Sequence, residues 1–408
     1  MMPDEKFVSL CGQVGNLTES ITGVHLVDAY CGPDNFAPQK QPKDRNHVDL
    51  LHDLDTLREE VDEEVRPTLR CKSLVGEISS LATVVRWLTE PDFEYEAAVK
   101  GMFHVEMKRF PESALDEVIQ ELDDALHHFP GTDLREKIIL YRNEGNVTGQ
   151  DLAKIIHGEL QDKAKDVSKL FKDRVYSKMG MSITDNGVEY RTVQNQPWSG
   201  YNYYQGNFKS INEFNIDRNF NANTLLNTVY HEYEHHVTNL WRERAYRENN
   251  WVDLSCVPLH TGRCVISEGT ADTAKEFLEV VDASPTTKIW NLLYALGRMT
   301  SINSAIILNQ EKRSTEYAVE YQVERGFREP DQARISLDFI RPLQESGKVN
   351  FWAPYVFTYF LGRTDFVLPL YQKAKEQGVL DEFFKTIYLN PYSGTSLTWN
   401  EAFEWLLA

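Results

Sequence analysis

Apolar residues recur at three- and four-residue steps over several long stretches, the spacing that gathers them on one face of a helix. Between residues 48 and 65 the positions Leu50, Leu51, Leu54, Leu57, Val61 and Val65 make such a face. The same period predicts helices over residues 74–88, 114–129 and 152–179. Breakers punctuate them at Glu90-Pro91-Asp92, Pro130-Gly131 and Asn143-Glu144-Gly145-Asn146. Around Ser182 the pattern changes. Asp185-Asn186-Gly187 reads as a hairpin-type turn, residues 188–193 are strand-like, 198–204 are rich in aromatics, and 209–217 alternate weakly. A small antiparallel sheet is expected there. After Asn223 the helical period returns and runs to the end, apart from turns at Ala283-Ser284-Pro285 and residues 390–394. The expected class is mainly α, with one small sheet immediately before a helix that carries the chain's most specific motif.

That motif is Tyr230-His231-Glu232-Tyr233-Glu234-His235-His236. Two histidines four apart on a helix lie one turn apart on one face, so both imidazoles can reach a single ion. Glu232 follows the first and can address a water on that ion without ligating it. Thr224 is the expected N-cap, and Leu226, Val229, Tyr233, Leu240 and Trp241 the buried stripe. From residue frequencies, a chain of 408 residues contains about 0.03 such matches by accident. Downstream, Ser267-Glu268-Gly269-Thr270-Ala271-Asp272 opens a second helical run. A catalytic zinc takes three protein ligands and keeps one position open, and two histidines with a glutamate are an established set. Glu268 is therefore the expected third ligand. Gly269, Ala271 and Ala274 are small enough to let its helix pack closely, and Asp272, one turn on, can hold a ligand imidazole by its second nitrogen.

His231-Glu232-x-x-His235 followed by Glu268 and Asp272 resembles the gluzincin metallopeptidases. From residue 182 to the end the chain is similar to the bacterial HExxH proteins that share the helical fold of thimet oligopeptidase and neurolysin. The matching features are Tyr355, Tyr359, Gly362 and Arg363 and the helices that follow them. That group often has Pro-Gly before its second motif histidine, where this chain has Glu234 before His235. The resemblance implies a helical, deep-cleft zinc peptidase cutting short peptides, with one zinc ion per chain. It also implies a C-terminal tyrosine as oxyanion donor, for which Tyr359 is the positional match and Tyr355 the neighbour one turn earlier. Residues 209–217 are expected to offer an exposed sheet edge to an extended peptide. His260, Arg263 and Arg363 are candidates for contacting substrate, the arginines through its terminal carboxylate.

Composition narrows the partners. A net charge of −19 lacks the basic footprint of nucleic-acid binding, and 41% hydrophobic with 12% aromatic content provides a core. No window has the roughly 18 apolar residues of a membrane span. Residues 1–20 are polar, and Cys11, Cys31, Cys71, Cys256 and Cys264 lack CxxC spacing, which fits reduced thiols and a cytoplasmic location. A single catalytic domain over residues 1–408 is expected, with residues 1–181 a helical half and 182–408 the zinc-binding half. No feature of the sequence bears on oligomeric state. A non-peptidase metallohydrolase and a catalytically inactive helical binding protein are the competing readings. The presence of Glu232 speaks against the second, because a merely structural ion needs no base.

Overall fold

The computed structural model describes residues 1–65, 68–196 and 198–407. Helices dominate, and each begins and ends where local chemistry allows. Pro3–Thr22 starts on a proline and stops at Gly23, whose φ of 82° closes the last turn. Asn46 caps His47–Glu64 by accepting from the Val48 amide at 2.9 Å, and this helix buries Leu50, Leu54, Leu57 and Val61, the face read from the sequence. Thr68–Thr89 covers the second predicted helix, while Glu112–Ala125 ends earlier than the period implied.

The stretch expected as one helix over 152–179 is continuous but carries two π-turns, Ile156–Leu160 and Lys172–Tyr176. Its buried residues explain them. Leu152, Ile156, Leu160 and Ala164 are spaced by four, and in an α-helix each such step drifts the stripe by about 40°. A wider i→i+5 turn absorbs the drift and keeps all four against the core.

The expected sheet forms with a different topology. Val188–Val193 pairs with Lys209–Asn215 in parallel, and Gly200–Gly206 pairs with Lys209–Asn215 antiparallel. The hairpin turn is Asn207-Phe208, with φ of 52° and 58°, rather than Asp185-Asn186-Gly187. Asp185 is used otherwise. It accepts from Tyr233 at 2.7 Å, Ser168 at 2.8 Å and His236 at 3.1 Å, and His236 in turn bonds Ser210 at 2.8 Å. Although this is a serine–histidine–aspartate row, Ser210 and His236 are wholly buried, so it anchors the sheet to the motif helix instead of presenting a nucleophile. Lys209–Asn215 is the central strand, paired on both sides, and is therefore not the expected edge. Gly200–Gly206 is an edge strand.

Two large cores interleave the chain. One joins residues between Phe7 and Val105 to others between Val252 and Leu361. The second joins residues between Leu152 and Trp241 to others between Ile266 and Leu406. Strand Val27–Tyr30 pairs with Cys256–Pro258. The packing therefore does not divide at residue 181. All five cysteines are free, and among the described residues no helix is long and apolar enough to cross a membrane.

Candidate metal centre and cleft

The motif helix spans Ala222–Asn249, so Thr224 lies inside its first turn and donates to the Asn221 carbonyl at 3.2 Å instead of capping from outside. Leu225, Val229, Tyr233, Val237, Leu240 and Trp241 bury one side. His231 and His235 leave from another side, toward a cleft of about 1210 Å³. Their Nε2 atoms stand 3.2 Å apart.

Glu268 comes from Gly262–Asp272, a helix that begins earlier than the sequence implied and places this carboxylate in its second turn. Its Oε2 lies 3.4 Å from His231 Nε2 and 3.6 Å from His235 Nε2. That oxygen is buried with no hydrogen-bond partner. Its other oxygen, Oε1, accepts from the Tyr355 hydroxyl at 3.1 Å.

The remaining imidazole nitrogens are held from behind. Asp272 takes His231 Nδ1 at 2.8 Å, and Ser267 Oγ meets His235 Nδ1 at 3.0 Å. With the proton of His231 on Nδ1, its Nε2 presents a lone pair into the triangle. Burial opposes charge throughout this cluster. Even so, Asp272 and Glu268 hold His231 well above the ordinary histidine range, and the two imidazoles hold Glu268 well below the ordinary carboxylate range. Glu232 lines the cleft beside them, and burial raises its pKa.

A tetrahedral ion with bonds near 2.1 Å requires ligand atoms about 3.4 Å apart. The three observed separations bracket that value, and an orphaned carboxylate oxygen faces two imidazole nitrogens. The residues present therefore fit a zinc ion.

Around this triangle the structure sorts the other expected residues. Tyr359 lines the cleft, its ring 4.3 Å from the Arg298 guanidinium carbon, and its hydroxyl donates to no described group. Tyr355 also lines the cleft and gives its hydroxyl to Glu268, so it positions that carboxylate. Arg363 is also committed. It pairs with Glu276 at 2.5 Å and donates to the Asp272 carbonyl at 2.5 Å, closing the end of the Gly262–Asp272 helix. Arg263 pairs with Glu77 at 2.5 Å. His260 is wholly buried, donates to the Phe351 carbonyl at 2.7 Å and does not line the cleft. His260 is therefore a packing residue and not the substrate contact expected, whereas Arg263 and Arg363 both line the cleft with part of their hydrogen-bonding capacity already used.

Gly269 approaches a different partner from the one expected. A β-carbon there would overlap the carbonyl of Gly362, and one at Gly362 would overlap the carbonyl of Val265. The small residues thus seat the Glu268 helix on the π-turn Gly362–Val367 that follows Tyr359.

Sequence reasoning missed Tyr294, whose hydroxyl donates to Asp272, as well as Arg298, Asp28 and Arg242. The first two are one turn apart on Pro285–Asn309, a helix with no motif to mark it. Asp28, the acceptor of the Tyr201 hydroxyl, reaches the cleft only because its strand pairs with residues more than 200 positions away.

No family model and no curated protein sequence matches the chain. Its architecture is similar to the crystal structure of a "putative lipoprotein" from Colwellia psychrerythraea. The TM-score is 0.57 at 16% identity, over 88% of this chain and 66% of that one, just under two thirds of the other protein's length. The likeness is one of fold.

Proposed function

We propose that the chain is a zinc-dependent metallohydrolase of gluzincin type that cleaves peptide bonds of short peptides. The observation that carries this reading is the triangle of His231 Nε2, His235 Nε2 and Glu268 Oε2, with sides of 3.2, 3.4 and 3.6 Å, opening on the cleft beside Glu232. A zinc ion held there supplies Lewis acidity toward a carbonyl and a water of lowered pKa. The rest falls to the chain. Glu232, its carboxylate raised in pKa by burial, takes the proton of the attacking water and returns it to the leaving amine. Tyr359 supplies the oxyanion donor: the nearby hydroxyls of Tyr294, Tyr355 and Tyr201 are spent on Asp272, Glu268 and Asp28, while that of Tyr359 is free. Burial and the Glu268 charge raise the Tyr359 pKa, which keeps the hydroxyl protonated and able to donate. The edge strand Gly200–Gly206 provides Gly200, Tyr201 and Asn202 to the cleft wall, where an extended peptide can align.

Two measurements test the reading. Elemental analysis of the purified chain should find about one zinc per molecule, and well under half an equivalent after zinc supplementation would count against the site. Glu232→Gln should keep the metal and the fold while lowering peptide hydrolysis by roughly 10²–10⁴-fold. Full activity in that variant would remove the proposed base. Metal content without hydrolysis of any peptide in a library would favour the non-peptidase alternative.

A further inference from the structure

Beyond His235 the cleft wall carries a cation without a counter-ion. Arg242 follows His235 by seven positions on the Ala222–Asn249 helix. Seven residues are two turns, so its side chain leaves the same face about 10 Å further along the axis and leans back toward the histidines. Arg242 is 4% exposed and lines the cleft. Its Nε and Nη2 are buried without a hydrogen-bond partner, and it takes part in no ion pair. Among the described residues no other arginine has two such nitrogens, and Arg70, Arg325 and Arg341 are all ion-paired.

The charges around it do not neutralise it. Arg263 repels it but is itself paired with Glu77. Asp28 lies near enough for its field to be felt, yet it forms no ion pair with Arg242 and accepts the Tyr201 hydroxyl instead. A buried guanidinium left in this state is costly to the fold, and such a cost persists where a ligand meets it.

We infer that Arg242 is the anion-recognition residue of the cleft, receiving a substrate carboxylate within about three residues of the cleaved bond. That distance follows from 10 Å of helix axis divided by roughly 3.4 Å per extended residue. The inference rests on the peptidase reading and narrows its substrate. The peptide enters with a carboxylate toward Arg242, and a short C-terminal fragment of up to about three residues is released. Arg263 and Arg363, the arginines that sequence alone pointed to, are already paired, so Arg242 takes the role they were expected to fill.

The test is calorimetric binding to the full-length protein as purified, in a Glu232→Gln background that stops turnover. Three probes are compared: acetyl-trialanine with a free carboxylate, its C-terminal amide, and the same amide with glutamate at the central position. The free acid should bind roughly 10- to 100-fold more tightly than the plain amide, the worth of a bidentate charge-assisted contact. Adding Arg242→Met should abolish that preference while leaving the melting temperature unchanged or raised, because an unpaired buried charge has been removed. If the glutamate-containing amide binds as well as the free acid, the recognised carboxylate is a side chain and the assignment of Arg242 stands. Equal binding of acid and plain amide overturns the inference, as does a preference that survives Arg242→Met. A clearly lowered melting temperature in that variant also overturns it, since the guanidinium would then be structurally paired. Preferential binding with no cleavage by the unsubstituted protein retains Arg242 and retires the peptidase reading. Cleavage with no preference does the reverse.

Discussion

Tyr355 and Tyr359 stand one turn apart with rings 5.6 Å between centroids, yet their hydroxyls have opposite fates. One is committed to Glu268 and the other is free. Their phenylalanine variants should therefore fail differently. Tyr359→Phe should keep zinc and lose about 10²–10³-fold in kcat, the worth of one oxyanion donor. Tyr355→Phe should loosen Glu268 and weaken zinc binding by roughly 10–100-fold, as should Asp272→Ala through His231. Competition with a chelator reads both. His260 gives a prediction of another kind. Its φ of 59° and burial among Phe103, Phe351 and Tyr355 make it a packing residue, and burial pushes its pKa down to about 3. The unfolded chain binds that proton near pH 6.5. Stability is therefore complete above about pH 6.5 and is lost as pH falls toward 3, by up to about 1.4 kcal/mol per pH unit. Denaturant midpoints measured against pH should show this slope in the native protein and a shallower one in His260→Gln.

At the scale of elements, the contact between Gly269 and Gly362 decides where Glu268 can be. Neither glycine has positive φ there; what each lacks is the β-carbon that would push the two helical segments apart. Gly269→Ala should cost about 1–3 kcal/mol by overpacking and shift Glu268 off its ligand position. Zinc affinity should then fall together with melting temperature, whereas a surface substitution such as Lys154→Ala should leave affinity alone. The helices were legible in the sequence because their period is local, and so was the pairing of His231 with His235, which needs only a four-residue spacing. Glu268 and Asp272 could be named because they share one turn spacing on one helix. The parallel pairing of Val188–Val193 and the roles of Arg363 and Arg263 were not legible. Each depends on which distant segment arrives beside it. A guanidinium on a cleft-facing helix reads the same whether Glu276 meets it or nothing does.

At the scale of the whole molecule the size of the cleft limits what can enter. The cleft, at about 1210 Å³, exceeds the usual upper size of small-molecule pockets, about 1,000 Å³, and its walls come from both ends of the chain. A folded protein does not fit such a cavity and a flexible peptide does. Hydrolysis of a mixed-length peptide library should therefore fall off with length, and a native folded protein should survive an incubation that consumes its unfolded tryptic fragments. Cleavage of the folded protein at a similar rate would mean that the walls open widely.

Strand Val27–Tyr30 and its partner Cys256–Pro258 carry a last consequence, one of order in time. A ribosome releases Asp28 long before it has made the segment against which that strand is zipped, and Tyr355 and Tyr359 come later still. At about 5–20 residues per second the first strand waits on the order of ten seconds or more with an unpaired edge. No nascent intermediate that ends before Tyr359 can complete the cleft, so the proposed site cannot be finished while these late segments are still unmade.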